Sequence, residues 1–333
     1  MGPSAGAPSD ADIQVRRATS ADDQAVLALL GTSLGWVPDD QHAAFFEWKH
    51  RRNPAGASPA WVALDGERLV GYRTFVRWEF EQAGHPVAAV RAVDTATHPD
   101  YRGRGIFSRL TRHALESLRD EGVAFVFNTP NERSRPGYLK MGWQPVAKLG
   151  VVVRPCSVAA PWRWVRSRVP AEKWSLAPTV GVAAGEVVGD GGSEALLASQ
   201  PPAPGLRTSR HRAFLEWRYG FAPLAYRALL LGDVPEEGFA IFRLRRRGAA
   251  VEGAICEVLV PGADPRKRAQ LLRRVAAQAG ADHLLEMAQP RAWRAGFVPL
   301  PGQGPTLVYR GLTTEAVPPR EQWHLELGDV ELF

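Results

Sequence analysis

Apolar and polar residues along the chain follow two periods, alternation and helical spacing, and together they predict an α/β fold. In the first part of the chain they predict a strand over 12–17, a helix from residue 26, a short helix over 42–50, a hairpin over 61–73 and strands over 75–80 and 87–97. The hairpin turns at Asp65-Gly66, a pair that readily adopts the positive backbone dihedrals of a tight turn.

Residues 93–118 carry the most specific pattern, VDTATHPDYRGRGIFSRLTRHALESL. Apolar residues recur at helical spacing from 106 to 118, and the apolar run 123–127 follows, so the order is strand, turn, helix, strand. The Arg-Gly-Arg-Gly at 102–105 falls where the strand turns into the helix. Unpaired helix amides and two guanidinium groups converge at such a turn, which suits a pyrophosphate.

The second half of the chain repeats the first, which indicates an internal duplication. FFEWKHRRNP at 45–54 reappears as FLEWRYGFAP at 214–223. Predicted strands at 239–244 and 253–260, a helix at 266–278 and a strand at 283–287 repeat the earlier order. In place of the Arg-Gly-Arg-Gly the repeat has PGADPRKRAQ. We therefore expect one working phosphate cradle and one degenerate copy.

The pattern predicts four segments. They are a disordered tail at 1–11, a first domain at 12–154, an interdomain strap at 155–179 and a second domain at 180–333, the last including a docked C-terminal tail that alternates from Trp323 to Phe333.

Composition narrows the function classes. With 333 residues, 45% of them hydrophobic, two domains are expected. No run of about 18 apolar residues and no signal-like start is present, so we expect a cytoplasmic protein without a membrane partner. Cys156 and Cys256 form neither a disulfide framework nor a metal-ligand pattern, and no metal site is expected. The net charge of +6 favours an anionic partner, such as a CoA phosphate or an acyl carrier protein, while no basic block indicates a nucleic-acid tail.

The motif at 99–107 resembles the cofactor motif of the GNAT superfamily of acyl-CoA transferases, with Arg102, Gly105 and Phe107 on its key positions. The resemblance implies two tandem GNAT-like domains, each with a mixed, mostly antiparallel central sheet flanked by helices. It assigns the pyrophosphate to Arg102, Gly103, Arg104 and Gly105, and the pantetheine arm to the backbone of Thr95, Ala96 and Thr97. The family prefers glycine or alanine where Phe107 stands, so its side chain either enters the core or lies beside the pyrophosphate.

Downstream, the segment from Asn131 to Trp143 resembles the family's second signature. By this resemblance Asn131 and Ser134 contact the cofactor, and Tyr138 is the general acid that protonates the leaving CoA thiolate. The alternative for Tyr138 is a core tyrosine whose hydroxyl is satisfied elsewhere.

The attacking amine must also lose a proton. Asp94, flanked by apolar residues at the strand end, is a candidate base or substrate anchor, and a solvated or hydrogen-bonded strand residue is the alternative. Glu47 and Glu79 are weaker candidates, and His98 is expected to orient neighbouring groups. In some tandem GNAT proteins the terminal carboxylate reaches the active site, which makes Phe333, and also Asp329, candidates here.

The sequence thus predicts an N-acyltransferase that moves an acetyl or other acyl group from acyl-CoA to a primary amine of a small molecule or peptide by direct attack. The alternatives are a transferase that uses aminoacyl-tRNA or an acyl carrier protein as donor, and a non-catalytic CoA sensor or scaffold. The acceptor and the acyl length stay open.

Overall fold

The computed structural model describes residues 13–157, 169–177, 179–313 and 316–330. The helices α1 to α9, in chain order, are Asp23–Leu34, Asp40–Arg51, Ile106–Asp120, Arg135–Lys140, Ala184–Gly189, Gly191–Ala198, Arg212–Tyr219, Pro265–Gln278 and Leu327–Val330. The strands β1 to β16 are Ile13–Arg17, Ala60–Asp65, Arg68–Gln82, His85–Thr97, Phe125–Asn128, Gln144–Lys148, Val151–Pro155, Val182–Ala183, Leu206–Thr208, Arg227–Leu230, Phe239–Arg247, Ala250–Leu259, His283–Met287, Val298–Pro299, Thr306–Gly311 and Trp323–His324. Within these ranges no helix combines the length and the hydrophobicity needed to cross a membrane.

The chain divides into two compact units, and each unit is made of several segments that are separated in the sequence. Unit 1 comprises residues up to Glu79, Val87–Pro145 and Val308–Val317. Unit 2 comprises Phe80–Pro86, Val146–Leu307 and the residues from Pro318 onward. The sequence places the strand near 149–154 in the first domain, but β7 lies in the second sheet and β15 lies in the first. The apolar sequence of a strand predicts that the strand is buried, but it does not predict which sheet the strand joins.

The first sheet has the strand order β1-β2-β3-β4-β5-β15-β6. Antiparallel pairing joins β1 to β2, β2 to β3 and β15 to β5, whereas β4 and β5 are parallel. The last residues of β3, which belong to unit 2, pair with β9, and β9 pairs with β16.

The core of unit 1 is built on the apolar face of α3. Ile106, Leu110, Ala114, Leu115 and Leu118 are all buried there, as their helical spacing predicts. Burial of each large aliphatic side chain contributes about 1.5–3 kcal/mol to folding. This packing fixes the helix that follows β4, and with it the position of the predicted cofactor turn.

The second sheet has the order β14-β7-β13-β12-β11-β10-β8. An antiparallel hairpin, β11 and β12, leads through α8 to β13, which runs parallel to β12. The same succession of hairpin, helix and parallel strand occurs in unit 1 as β3, β4, α3 and β5. The expected fold class, α/β with two mixed and mostly antiparallel sheets flanked by helices, is confirmed.

Gly71 on β3 allows the close approach of α3, and this generates a stability prediction. A Cβ on Gly71 would lie 2.6 Å from Ile106 Cγ2 and 3.0 Å from Leu110 Cδ1. Gly71→Ala should therefore lower the free energy of unfolding by about 1–3 kcal/mol in urea titrations. Gly191→Ala is the control, since a Cβ there meets no atom within 4 Å. Equal stability of Gly71→Ala and wild type would contradict the packing.

Candidate active site

The site lies in unit 1, where β4 loses its partner strand. β5 pairs with β4 only over Ala89–Arg91 within the described residues, whereas β4 continues to Thr97. Thr95, Ala96 and Thr97 lie on the stretch of β4 beyond its pairing with β5. The Thr97 carbonyl accepts a hydrogen bond from Ser33 Oγ at 3.1 Å. An extended segment with an open edge is the surface to which an extended ligand adds its own hydrogen bonds.

The turn into α3 leaves its helix amides open. Gly103 and Gly105 have φ values of +80° and +72°, which L side chains rarely adopt, and a Cβ on either would meet nothing within 4 Å. Gly105 is the N-cap and has no side chain to accept from the first amides, and no side-chain cap is seen among the described residues. Arg102 is exposed, and the guanidinium of Arg104 lies 4.8 Å from the centre of the Tyr101 ring. The free amides at the helix start, the open space around the two glycines and the two guanidinium groups together suit the binding of a pyrophosphate.

Phe107 points away from this turn, into the core. Its ring meets the Tyr138 ring edge-on, with the centroids 5.5 Å apart. Gly137 makes the room, because a Cβ there would come within 3.2 Å of Phe107 Cε1. Of the two positions expected for this side chain, the structure shows the one that leaves the helix start uncovered.

Tyr138 lies on α4, buried beside Phe107 and Trp143. The turn that begins α4 is held by Asn131, whose Oδ1 accepts hydrogen bonds from Ser134 N at 2.9 Å and Ser134 Oγ at 3.0 Å. Asn131 and Ser134 thus have a visible local role in placing Tyr138. The phenol oxygen accepts a hydrogen bond from Arg73 Nη1 at 2.8 Å, so its own proton remains available for donation.

Arg73 is a residue that the sequence analysis did not single out. It lies on β3 with no exposed surface, and its Nη1 also donates to Thr95 Oγ1. Its Nε and Nη2 have no hydrogen-bond partner among the described residues. The guanidinium instead lies over the rings of Phe75, Phe107 and Tyr138, at 4.3–5.5 Å from their centres. An arginine keeps its positive charge when buried, so this charge favours a negative one nearby.

Asp94 is held by a buried cluster from α2. Its Oδ2 lies 2.7 Å from Lys49 Nζ and 2.9 Å from His50 Nε2, and its side chain is only 6% exposed. Burial tends to raise the pKa of Asp94, but the Lys49 ammonium and the hydrogen bond from His50 outweigh it and hold the pKa well below its ordinary value. A carboxylate with so low a pKa is a weak base. Of the roles expected for Asp94, this geometry fits the hydrogen-bonded strand residue and argues against the base.

His50 completes this cluster. Burial lowers the pKa of His50 and outweighs the opposing effect of Asp94, so the imidazole is neutral at pH 7. Its Nε2–H then donates to Asp94, and its Nδ1, 3.1 Å from Ser58 Oγ, accepts the serine proton. Asp94 itself has a φ of +40°, a strained value for a residue other than glycine, and the cluster holds it there.

The other candidates lie apart from this cluster. Glu47 is exposed, with its Oε1 3.6 Å from Arg52 Nε. Glu79 lies near the end of β3 and is half-buried. His98 Nε2 lies 2.9 Å from Arg68 Nη2, and His98 Nδ1 lies 3.3 Å from Asp100 N. Asp329 lies in unit 2, where its Oδ2 accepts from Arg210 Nη2 at 2.9 Å.

Two further expectations concern the chain end and metals. Phe333 lies outside the described residues, so its predicted role stays a prediction. No group of three or more His, Cys, Asp or Glu side chains that could hold a metal ion occurs in the described part of the chain.

Comparison with known proteins finds a domain family that matches part of the chain, and solved structures with a similar fold. A family model described as "Acetyltransferase (GNAT) domain" matches residues 14–146. No functionally curated protein matches the chain in sequence. Among solved structures, a probable N-acyltransferase from Enterococcus faecalis V583 is similar at a TM-score of 0.64 with 16% identity, covering 90% of this chain and 72% of the other.

Two other solved structures resemble the chain over the same share of its length. A GCN5-related N-acetyltransferase from Anabaena variabilis ATCC 29413 has a TM-score of 0.63 and 14% identity, covering 90% of this chain and 73% of its own. Eis1 from Mycobacterium abscessus has a TM-score of 0.56 and 11% identity, with 90% and 74% covered. At such identities the similarity concerns the fold alone.

The buried neutral His50 generates a prediction for the pH dependence of stability. Its pKa is lower in the folded state than in the unfolded chain, so the unfolded chain binds more protons as the pH falls through about 6.5. The contribution of His50 to the free energy of unfolding should fall as the pH drops from 7.5 to 5, by up to about 1.4 kcal/mol per pH unit, and the difference between wild type and His50→Gln isolates it. Urea titrations at each pH measure it.

His50→Gln, which keeps an amide donor toward Asp94, should flatten this dependence. His85→Gln is the control, because His85 is exposed. The same pH slope in His50→Gln and in wild type would rule out the neutral buried imidazole.

Proposed function

Because a GNAT acetyltransferase domain model matches residues 14–146, we propose that the chain is an N-acyltransferase that moves an acetyl or other acyl group from acyl-CoA to a primary amine. The observation that carries the proposal is the hydrogen bond from buried Arg73 to the hydroxyl of Tyr138, which also links that tyrosine to Thr95 on the open stretch of β4. A family match suggests the class of reaction, and the geometry of the site suggests which residues would carry it out.

The acyl-CoA would lie along two features already described. The backbone of Thr95 and Ala96 on the open edge of β4 would hold the pantetheine arm. The amides that follow Gly105, together with Arg102 and Arg104, would hold the pyrophosphate. Bound acyl-CoA supplies the activated acyl group as a thioester, and every other part of the chemistry falls to the protein.

Tyr138 is the proposed general acid. In the transfer a carbon–nitrogen bond forms, the carbon–sulfur bond breaks, and the sulfur needs a proton. Since Arg73 occupies a lone pair of the phenol oxygen, the Tyr138 hydroxyl hydrogen is free to turn toward that sulfur. The same guanidinium stabilises negative charge that develops on the phenol oxygen after the proton leaves.

The proton that the amine loses is not assigned to Asp94, because the Lys49 and His50 contacts keep that carboxylate ionised and weakly basic. The proposed role of Asp94 is structural. It fixes the strained backbone of β4 directly ahead of Thr95, where the thioester would lie. The chain-terminal carboxylate of Phe333 remains the proposed alternative acceptor for this proton.

We further propose that unit 2 derives from the same fold. The His50–Asp94 hydrogen bond has a counterpart in Tyr219 Oη and Glu257 Oε2, which lie 3.2 Å apart. Tyr219 follows Trp217 in the repeated FLEWRY, as His50 follows Trp48 in FFEWKH. Both carboxylates lie near the end of the strand that precedes the long helix of their unit. In each unit a buried hydrogen bond joins the repeated helix to a carboxylate near the end of the strand. This similarity supports descent of both units from one duplicated domain.

The pairing of Arg73 with Tyr138 generates the functional prediction. Tyr138→Phe should lower kcat for acetyl transfer to an accepted amine by about 10²–10⁴-fold, since it removes the general acid. Arg73→Lys should lower kcat less than Tyr138→Phe does. In the double variant the two decreases in kcat should not multiply, because both residues act on the proton of the Tyr138 hydroxyl. Release of free thiol, followed with a chromogenic reagent across a panel of primary amines, measures these rates.

Tyr309→Phe is the matched control, since Tyr309 is a buried tyrosine on β15 of the first sheet and should keep the wild-type rate. Circular dichroism checks folding of each variant. Unchanged transfer by Tyr138→Phe would remove Tyr138 from the mechanism, and binding of acetyl-CoA without turnover of any amine would favour a sensor instead.

A further inference from the structure

Unit 1 contains a cavity of about 360 Å³ that the proposed acyl transfer does not use. It lies beside the last residues of α3 and β15, and beside the turn between α4 and β6. All of its lining residues belong to unit 1. α3 has 15 residues, each rising about 1.5 Å, so about 20 Å of helix separates Arg119 at the cavity from the turn at Gly105. The cavity is therefore distinct from the proposed site of the pyrophosphate.

The lining of the cavity carries positive charge and no negative charge. Arg119 and Arg310 line it, and no aspartate or glutamate does so among the described residues. Asp120, which follows Arg119, is exposed, and Glu121 forms its ion pairs with two other arginines. Neither Arg119 nor Arg310 has an ion-pair partner in the described part of the chain. The two guanidinium groups thus give the cavity wall a net positive charge.

Arg310 reaches the cavity from β15 with one donor unsatisfied. Its Nη1 donates a hydrogen bond to the Gly142 carbonyl at 3.0 Å. Its Nε is buried and has no hydrogen-bond partner among the described residues. Gly142 makes room for this guanidinium, since a Cβ there would lie 2.5 Å from Arg310 Nη1. A buried N–H group of a charged side chain needs an acceptor, and no described residue provides one.

Arg119 extends from the last turn of α3 and is fixed by a backbone carbonyl. Its Nε donates to Leu312 O at 3.0 Å, and Leu312 N donates to Ala124 O at 2.9 Å. The two terminal nitrogens of Arg119, Nη1 and Nη2, have no hydrogen-bond partner within the described ranges. Both guanidinium groups are thus held by carbonyls, which fix their positions and leave their positive charges without an anionic partner.

We propose that this cavity binds a phosphate group, free or carried by a small molecule, through the guanidinium groups of Arg119 and Arg310. The unpartnered donors include Arg310 Nε and the two terminal nitrogens of Arg119, and a phosphate monoester has three terminal oxygens to accept from them. Hydrogen bonds from arginine to phosphate are charge-assisted, and the planar guanidinium favours two parallel bonds. The proposal does not rest on acyl transfer, because the cavity shares no residue with the proposed acyl-CoA site.

The size and polarity of the cavity restrict the ligand. Its volume of about 360 Å³ lies at the lower end of the range for small-molecule pockets, about 300–1,000 Å³. Gln144 and Thr313 also line it, and both are exposed. Their polar side chains suit a hydrophilic remainder of the ligand, such as a polyol, better than a long acyl chain.

Chemical modification of the full chain by phenylglyoxal, which reacts with guanidinium groups, tests the site at a single residue. Peptide mass spectrometry after proteolysis gives the modification rate of each arginine separately. With a Kd of about 1 mM, about 10 mM inorganic phosphate should slow the modification of Arg119 about tenfold at constant ionic strength. Arg112 is the control, because it is exposed on the same helix and does not line the cavity, so its rate should not change.

Arg310→Gln tests whether both guanidinium groups hold the phosphate. This variant should raise the phosphate concentration that half-protects Arg119 at least about tenfold, because one charge-assisted pair is lost. Arg310→Lys, which keeps the charge and loses the planar fork, should raise it less. In Arg112→Gln, which removes the same charge outside the cavity, phosphate should protect Arg119 as it does in wild type. Circular dichroism confirms the folding of each variant.

Inorganic phosphate and glycerol 3-phosphate distinguish the two sources of the phosphate group. Stronger protection by the ester supports a phosphorylated small molecule, and stronger protection by inorganic phosphate supports the free ion. Equal or stronger protection by succinate would overturn the assignment of phosphate. An Arg119 rate that phosphate leaves unchanged, equal slowing at Arg112, or wild-type protection in folded Arg310→Gln would overturn the site.

The same digests report on the acyl-CoA site separately. Arg102 is exposed at the turn before α3, and acetyl-CoA should protect it from phenylglyoxal if the proposed function is correct. Protection of Arg119 by phosphate without protection of Arg102 by acetyl-CoA would contradict the acyl-CoA site alone. The reverse result would contradict the phosphate site alone.

Discussion

The end of β4 that extends past its pairing with β5 is the constraint on which the unit 1 site depends. A strand that lies between two neighbours has its backbone groups satisfied by them, but β5 accompanies β4 no further than Arg91. The stretch up to Thr97 therefore presents an edge in the middle of a sheet. The chain then turns through Gly103 and Gly105 into α3, so an open strand edge and an open helix start follow one another directly.

Buried charge holds this edge in position. Asp94 adopts a strained backbone conformation that costs about 1–3 kcal/mol, and its ion pair with Lys49 and its hydrogen bond with His50 tie it to α2. Removing one partner from such a cluster would leave an uncompensated charge in the interior, which is strongly destabilising. On the neighbouring strand Arg73 reaches Thr95 and Tyr138 together. Three of the buried polar side chains of unit 1, Lys49, His50 and Arg73, thus surround the part of β4 that would meet the thioester.

The features that the sequence predicts correctly are those that depend on residues close to one another in the chain. The apolar spacing of α3, the glycine turn before it and the placement of Tyr138 after Asn131 depend on neighbours in the chain, and all appear in the structure. Arg73, Lys49 and His50 were missed because their roles come from contacts across 22 to 65 residues. A lone arginine within the apolar run VGYRTFV was the available signal for Arg73. The positions of β7 and β15 depend on pairing between distant strands, which periodicity does not encode.

We propose that the open edge of β4 and the start of α3 together hold an acyl-CoA. The most direct measurement is an isothermal titration of the full chain with acetyl-CoA, beside the Arg102→Ala variant. The account predicts one bound acetyl-CoA per chain with a Kd below millimolar, and weaker, less salt-dependent binding by Arg102→Ala. Absence of binding to the wild-type chain at millimolar acetyl-CoA would contradict it.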